Sequence, residues 1–188
     1  MKTPVAEHLN ASTERTLKLL SESLLNLLEQ SPLEKITVID ICKNADVPRA
    51  TFYNHFEDKF DLLRYTMHLL AAELHLFQDT PDDEQAYIRQ AIVSLLDFEE
   101  KNRHFLKRVS SANYNSILFA EIKQFVYEQL VALLNSKKLQ GRIYPVDEKI
   151  IAELYSNAIV YSIKTWLKNG LPAPRDEIIE SMLMLMSR

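Results

Sequence analysis

The chain has 188 residues, two glycines, one cysteine and a formal net charge of −4 at neutral pH. That length supports one good core, or a small domain joined to a larger one. The single Cys42 rules out an internal disulfide, and neither the first 60 residues nor the remainder has a lysine and arginine excess, so generic electrostatic binding of nucleic acid is excluded.

Scarce glycine and unbroken three-four periodicity predict an all-α protein of about nine helices. Cys42 lies in an apolar pattern and reads as a buried thiol. No run nears the ~18 apolar residues of a membrane span. "MKTPVAEHLNAS" lacks the apolar core of a signal peptide. A cytoplasmic protein with no membrane partner is expected.

The first helix is predicted to start after Ser12 as N-cap, with Leu17, Leu20, Leu24, Leu27 and Leu28 on one face and Pro32 closing it. A second, short helix follows in "TVIDICKNA". Thr37 with Asp40 three residues on forms a capping-box-like pair. Asp46 then sits at a sharp turn, where Asp is among the few residues that tolerate the left-handed region. Pro48 suits the first turn of a third helix that runs to about Phe56. Phe52 and Phe56, four apart, point inward, leaving Arg49, Ala50, Thr51, Tyr53, Asn54 and His55 on the other faces.

Asp58 caps a fourth helix with Leu63, Met67, Leu70, Leu74 and Phe77 on one stripe. At about twenty residues it would be ~30 Å long. The acidic stretch "QDTPDDEQ" marks a change of domain. Further helices are predicted at 83–100, 103–110, 115–139, 147–169 and 175–187.

The second and third helices form a helix-turn-helix pattern, which places the third helix in a major groove. Arg49 suits guanine O6 and N7, and Asn54 suits adenine N6 and N7. Thr51 can bond a base or a phosphate, while Tyr53, His55 and Lys59 suit phosphate oxygens. The helix N-termini at Thr37 and Asp58 offer backbone N–H groups. The same pattern also describes a core helix pair with a polar outer face. Against it stands the exposure of Tyr53 and His55, which have no packing duty once Phe52 and Phe56 supply the anchors.

"ITVIDICKNADVPRATFYNHFEDKFDLL" resembles the DNA-binding domain of the TetR family of bacterial transcription regulators. The likeness rests on Thr37, Ala45-Asp46-Val47, Thr51 to Phe56, Lys59 and Leu62-Leu63. Asp46 replaces the usual glycine, and Glu57 adds a negative charge where many relatives have a lysine or another polar residue. The resemblance implies DNA contacts at Thr37, Arg49, Ala50, Thr51, Tyr53, Asn54, His55 and Lys59. It also implies a homodimer on a near-palindromic double-stranded operator.

Toward the C-terminus, Trp166, Leu167, Gly170 and Pro172 resemble one branch of the family, whose penultimate helix ends in Trp-Leu-x-x-Gly. Gly170 suits a left-handed cap. The resemblance implies that the last two helices pair with a second subunit. Tyr155, Ala158, Ile159, Ser162 and Trp166 line one face, which is equally the pattern of an intramolecular core. The implied organisation is a helix-turn-helix domain over 1–57, a connecting helix over 58–80, and a ligand-binding and dimerisation domain over 81–188.

Tyr87, Phe98, Phe105, Tyr114, Phe119, Phe125 and Tyr127 serve either as core or as the lining of an effector pocket. His68 and His75, seven apart, lie ~10.5 Å apart on one helix, too far to share a zinc readily. With no phosphate loop, nucleophile elbow or H-E-x-x-H, no enzyme, metal or cofactor is expected. The function expected is a transcriptional repressor released by an effector in the C-terminal domain. The alternative is a regulator or coactivator whose C-terminal domain grips a protein partner.

Overall fold

A computed structural model describes residues 10–77 and 84–186. In chain order the helices are α1 (Ala11–Leu28), α2 (Val38–Ala45), α3 (Arg49–His55), α4 (Lys59–Glu73), α5 (Glu84–Lys101), α6 (Arg103–Asn113), α7 (Leu118–Leu139), α8 (Glu148–Asn169) and α9 (Arg175–Met186). A short 3-10 turn, Leu33–Lys35, joins α1 to α2. The described residues contain no strand, so the protein is all-α as its periodicity predicts.

α1 starts two residues earlier than expected. Asn10 is its N-cap and accepts the Thr13 N–H at 2.8 Å. Asn caps as well as Ser, and the Ser12 carbonyl is already inside the helix, accepting from the Thr16 hydroxyl. The leucine face is buried as the spacing dictates. Leu17, Leu20, Leu24 and Leu28 join Ile41, Phe52, Phe56 and Leu62 in one core, and Cys42 is buried with them. Full burial of each large apolar side chain contributes ~1.5–3 kcal/mol. Leu118 of α7 belongs to the same core, with Val109 and Ile122 packed against it. The helix-turn-helix unit is therefore completed by residues far along the chain.

The Thr37–Asp40 capping box is present. α2 ends with Asp46 in the left-handed region (φ 53°, ψ 43°). The Val47 N–H reaches the Cys42 carbonyl at 3.0 Å, and the Asp46 N–H reaches Lys43 at 3.4 Å. This is a Schellman closure. Because an L side chain is strained there, Asp46→Gly is expected to raise stability by ~0.5–1 kcal/mol in urea unfolding.

α4 is shorter than predicted. It has 15 residues, or ~22 Å, and stops where His75 enters the left-handed region (φ 53°). The Leu76 N–H bonds the Ala71 carbonyl at 2.8 Å, and the His75 N–H bonds Ala72 at 3.1 Å, a second Schellman closure. With His in place of glycine, no local signal marks this end. Tertiary packing selects it, because Leu76 and Phe77 turn back onto the cluster of Ala71, Phe119, Phe125, Val126 and Val160. His68 and His75 consequently do not share a helix. His68 stands edge-on to Phe125 at 4.9 Å, and burial lowers its pKa. Among the described residues no cluster of metal-binding side chains forms.

The remaining helices lie close to their predicted spans. α7 packs along α8, and α5 along α9. Gly170 has positive φ (84°) but ψ of 173°, so it turns the chain directly into an extended link instead of a left-handed helical cap. Leu171 thereby reaches the cluster of Ile92, Leu96 and Ile179.

Candidate nucleic-acid interface

α3 is only seven residues long and is led by Pro48, which has no N–H to leave unsatisfied. Its position depends on two fully buried rings. Phe52 and Phe56 lie 5.6 Å apart, and Tyr65 of α4 packs against Phe56 at 5.5 Å with its ring tilted. The opposite face presents Arg49, Ala50, Tyr53 and Asn54 to solvent, with Thr51 and His55 half-buried at its margins. The Tyr53 ring stands edge-on to Phe52 at 5.4 Å and remains 40% exposed. The Arg49 guanidinium lies 6.0 Å from the Tyr53 ring centre, at the outer range of a cation–π contact. Two polar side chains of the face are thus braced by the core beneath them.

The expected phosphate contacts fare differently. Thr37 is exposed, but its hydroxyl donates to Asp40 Oδ2 at 2.6 Å and accepts the Asp40 N–H at 3.2 Å. The Thr37 N–H donates to the same carboxylate at 2.9 Å. These bonds hold the Asp40 carboxyl below the usual carboxylate range, the Thr37 hydroxyl contributing most. The cap is therefore intact at neutral pH and is lost as pH falls through that lowered value. At the start of α4, Asp58 accepts the N–H groups of Phe60 and Asp61, and buried Asp61 accepts that of Glu57. Carboxylates already fill N–H positions that the sequence offered to phosphate at both helix starts.

Lys59 is also engaged within the chain. Its Nζ donates to the carbonyls of Leu33, Glu34 and Ile36 at 2.8, 3.1 and 2.7 Å. An ammonium has three N–H donors, and three carbonyls accept from this one. Burial lowers its pKa, against the attraction of Glu34 and Asp58. Lys59 clamps the α1–α2 connection to α4. Lys43 and Asn44 are exposed at the end of α2.

Tyr155, Ile159, Ser162 and Trp166 are half-buried within the chain. Ile159 packs on the Phe119–Phe125–Val160 cluster, and Trp166 on Ile92, Leu96 and Ile179. The apolar stripe that faces outward is Ile150, Leu154 and Tyr161, the last two 66% and 73% exposed, with exposed Ala158 between them. One residue along a helix is ~100° around it, so the two stripes differ only in register. Phe119 and Phe125 are core. A solvent-open concavity of about 600 Å³ lies away from the aromatics, at the α7–α8 loop, lined by Lys138, Arg142, Tyr144 and Glu148 among others.

A braced polar helix presented by a helix-turn-helix unit is the geometry with which the class of DNA-binding regulators enters a major groove. Residues 86–188 match a family model described as a transcriptional regulator C-terminal region, and residues 22–66 match the bacterial regulatory proteins of the tetR family. The chain belongs to the TetR family, whose members are DNA-binding regulators and not enzymes. It is 26% identical over 179 residues to the nucleoid occlusion factor SlmA of Vibrio atlanticus (strain LGP32), covering 88% of this chain and 91% of that one. The SlmA of Shewanella pealeana is 27% identical over 144 residues, covering 71% and 73%.

Solved structures share the fold. A TetR transcriptional regulator from Streptococcus agalactiae has a TM-score of 0.59 at 19% identity, covering 93% of this chain and 94% of that one. NalD, the secondary repressor of the MexAB-OprM efflux pump in Pseudomonas aeruginosa, has 0.56 at 19%, covering 94% and 96%. Among the described residues no helix is long and apolar enough to cross a membrane.

Proposed function

We propose that the protein is a sequence-specific, homodimeric transcriptional regulator that represses from a near-palindromic operator and is released by an effector in its C-terminal domain. Residues 1–57 would bind DNA, 58–80 connect, and 81–188 carry effector and dimer contacts. The observation that carries this reading is the exposed Arg49–Tyr53–Asn54 face, held over buried Phe52 and Phe56. Two such faces in one dimer would enter successive major grooves ~34 Å or more apart. The effector must bind one spacing better than the other, or nothing shifts.

With Thr37 and Lys59 engaged internally, few cationic contacts remain for phosphate. Affinity then depends on base edges more than on charge. The test is binding to DNA flanking its own coding region across a salt series. Tight, competitor-resistant binding with a shallow salt slope is expected; failure to bind there removes the reading.

For the dimer, the outward stripe of α8 is the contact favoured by its exposure. Leu154→Asp is expected to move the sedimentation coefficient toward monomer while leaving helicity intact. Trp166→Ala should instead lower the unfolding midpoint, since its ring packs within the chain. A dimer unaffected by Leu154→Asp would put the interface elsewhere.

A second reading keeps DNA binding and gives the C-terminal domain a protein partner, as a nucleoid occlusion factor. The similarity to SlmA proteins favours it, and so do Leu139 and Ile143, 91% and 89% exposed beside the α7–α8 loop. Many genomic binding sites without local change in transcription on deletion would decide for this reading.

A further inference from the structure

The helix-turn-helix core is tied to the C-terminal helices by polar bonds at one corner, where α6 meets the α1–α2 connection. Asn113, the last residue of α6, is fully buried. Its Oδ1 accepts the Leu33 N–H at 2.8 Å. Its Nδ2 is placed against the carbonyls of Leu28, Ser31 and Val109 at 2.8, 3.4 and 3.0 Å. One amide side chain thus spans the end of α1, the 3-10 turn and its own helix. Arg108 pairs with Glu29, and the Ser116 hydroxyl donates to Glu34 at 2.6 Å. Leu118 follows into the helix-turn-helix core.

The same 3-10 turn is held from its other side by Lys59, whose ammonium takes the Leu33, Glu34 and Ile36 carbonyls. Leu33 is therefore bonded through its N–H to α6 and through its C=O to α4. The turn leads directly into α2 through Ile36 and Thr37. A displacement of α6 would pull on the start of α2 without passing along α4. A buried amide with satisfied partners on both sides resists such slippage, because separation exposes several backbone groups at once.

We propose that Asn113 is a positioning residue for DNA recognition. It latches α6 to the Leu33 turn, so that the C-terminal domain sets the pose of α2 and α3 by this route as well as through α4. Its effect on operator affinity rests on the DNA-binding reading above; its effect on pose does not.

The test uses the full chain in a Cys42→Ser background, with spin labels at Glu57→Cys and Lys101→Cys and dilution by unlabelled protein. Asn113→Ala is compared with Ile92→Ala, which opens a cavity in the C-terminal cluster away from this corner. Asn113→Ala is expected to broaden or shift the 57–101 distance and to weaken operator binding by roughly tenfold, the scale of coupling between sites. Ile92→Ala should lower the unfolding midpoint and change neither. An unchanged distance in Asn113→Ala, unchanged operator affinity beside an altered distance, or an equal broadening in Ile92→Ala overturns the latch. A parent protein that binds no DNA overturns the operator reading, and the distance result still decides whether the latch sets the pose.

Discussion

Arg49→Ala is expected to weaken operator binding by ~1–3 kcal/mol and to relax the preference at one base pair. The side chain is exposed at the first position of α3 and lies 6.0 Å from the Tyr53 ring centre. A planar guanidinium so placed can give guanine O6 and N7 two parallel hydrogen bonds, which lysine cannot reproduce. Arg49→Lys should therefore recover little of the loss. Stability should change by no more than ~0.5 kcal/mol, as for other exposed sites. Fluorescence anisotropy against the operator and its single-base variants separates these effects. Unchanged affinity in Arg49→Ala would pass the reading role to Asn54 and Thr51.

Lys59→Met should cost ~1.5–3 kcal/mol of folding stability, the range for hydrogen bonds to a charged group. Methionine keeps much of the aliphatic stem and removes all three donors. The carbonyls of Leu33 and Ile36 are then left partly buried without their ammonium. A phosphate ligand would behave differently. Its loss would weaken all DNA sequences alike and flatten the salt slope by about one, at little cost to stability. Urea unfolding and a salt series on the same variant distinguish the two roles. A normal unfolding midpoint with a flattened slope would return Lys59 to the phosphate backbone.

The contrast between these residues shows what was legible beforehand. Arg49 could be placed because α3 is short and its register is set by Phe52 and Phe56, four residues apart. The Thr37–Asp40 capping box and the left-handed Asp46 were legible for the same reason: each is a contact within five residues. The internal bonds of Lys59 had no local signal, because its acceptors lie 23 to 26 residues away. Local sequence presents it only as a cation near a recognition helix. Asn113 had no signal, since one amide in a polar stretch does not reveal partners 80 or more residues away.

The C-terminal helices repeat the lesson. Their spans were readable from periodicity and from Gly170, Pro172 and Pro174. Which stripe of α8 faces outward was not, because two apolar stripes one residue apart satisfy the same spacing. Docking against α7 and the Ile92–Leu96–Ile179 cluster chose between them. The end of α4 likewise followed the burial of Leu76 and Phe77.

By itself the sequence determined the all-α class, nearly every helix, the helix-turn-helix and the residues on the outer face of α3. Helical period, capping and turn chemistry act over a few residues and are written in order along the chain. Tertiary structure alone decided the clamp at Lys59, the latch at Asn113 and the outward face of α8. Those depend on which distant groups meet once the helices have packed.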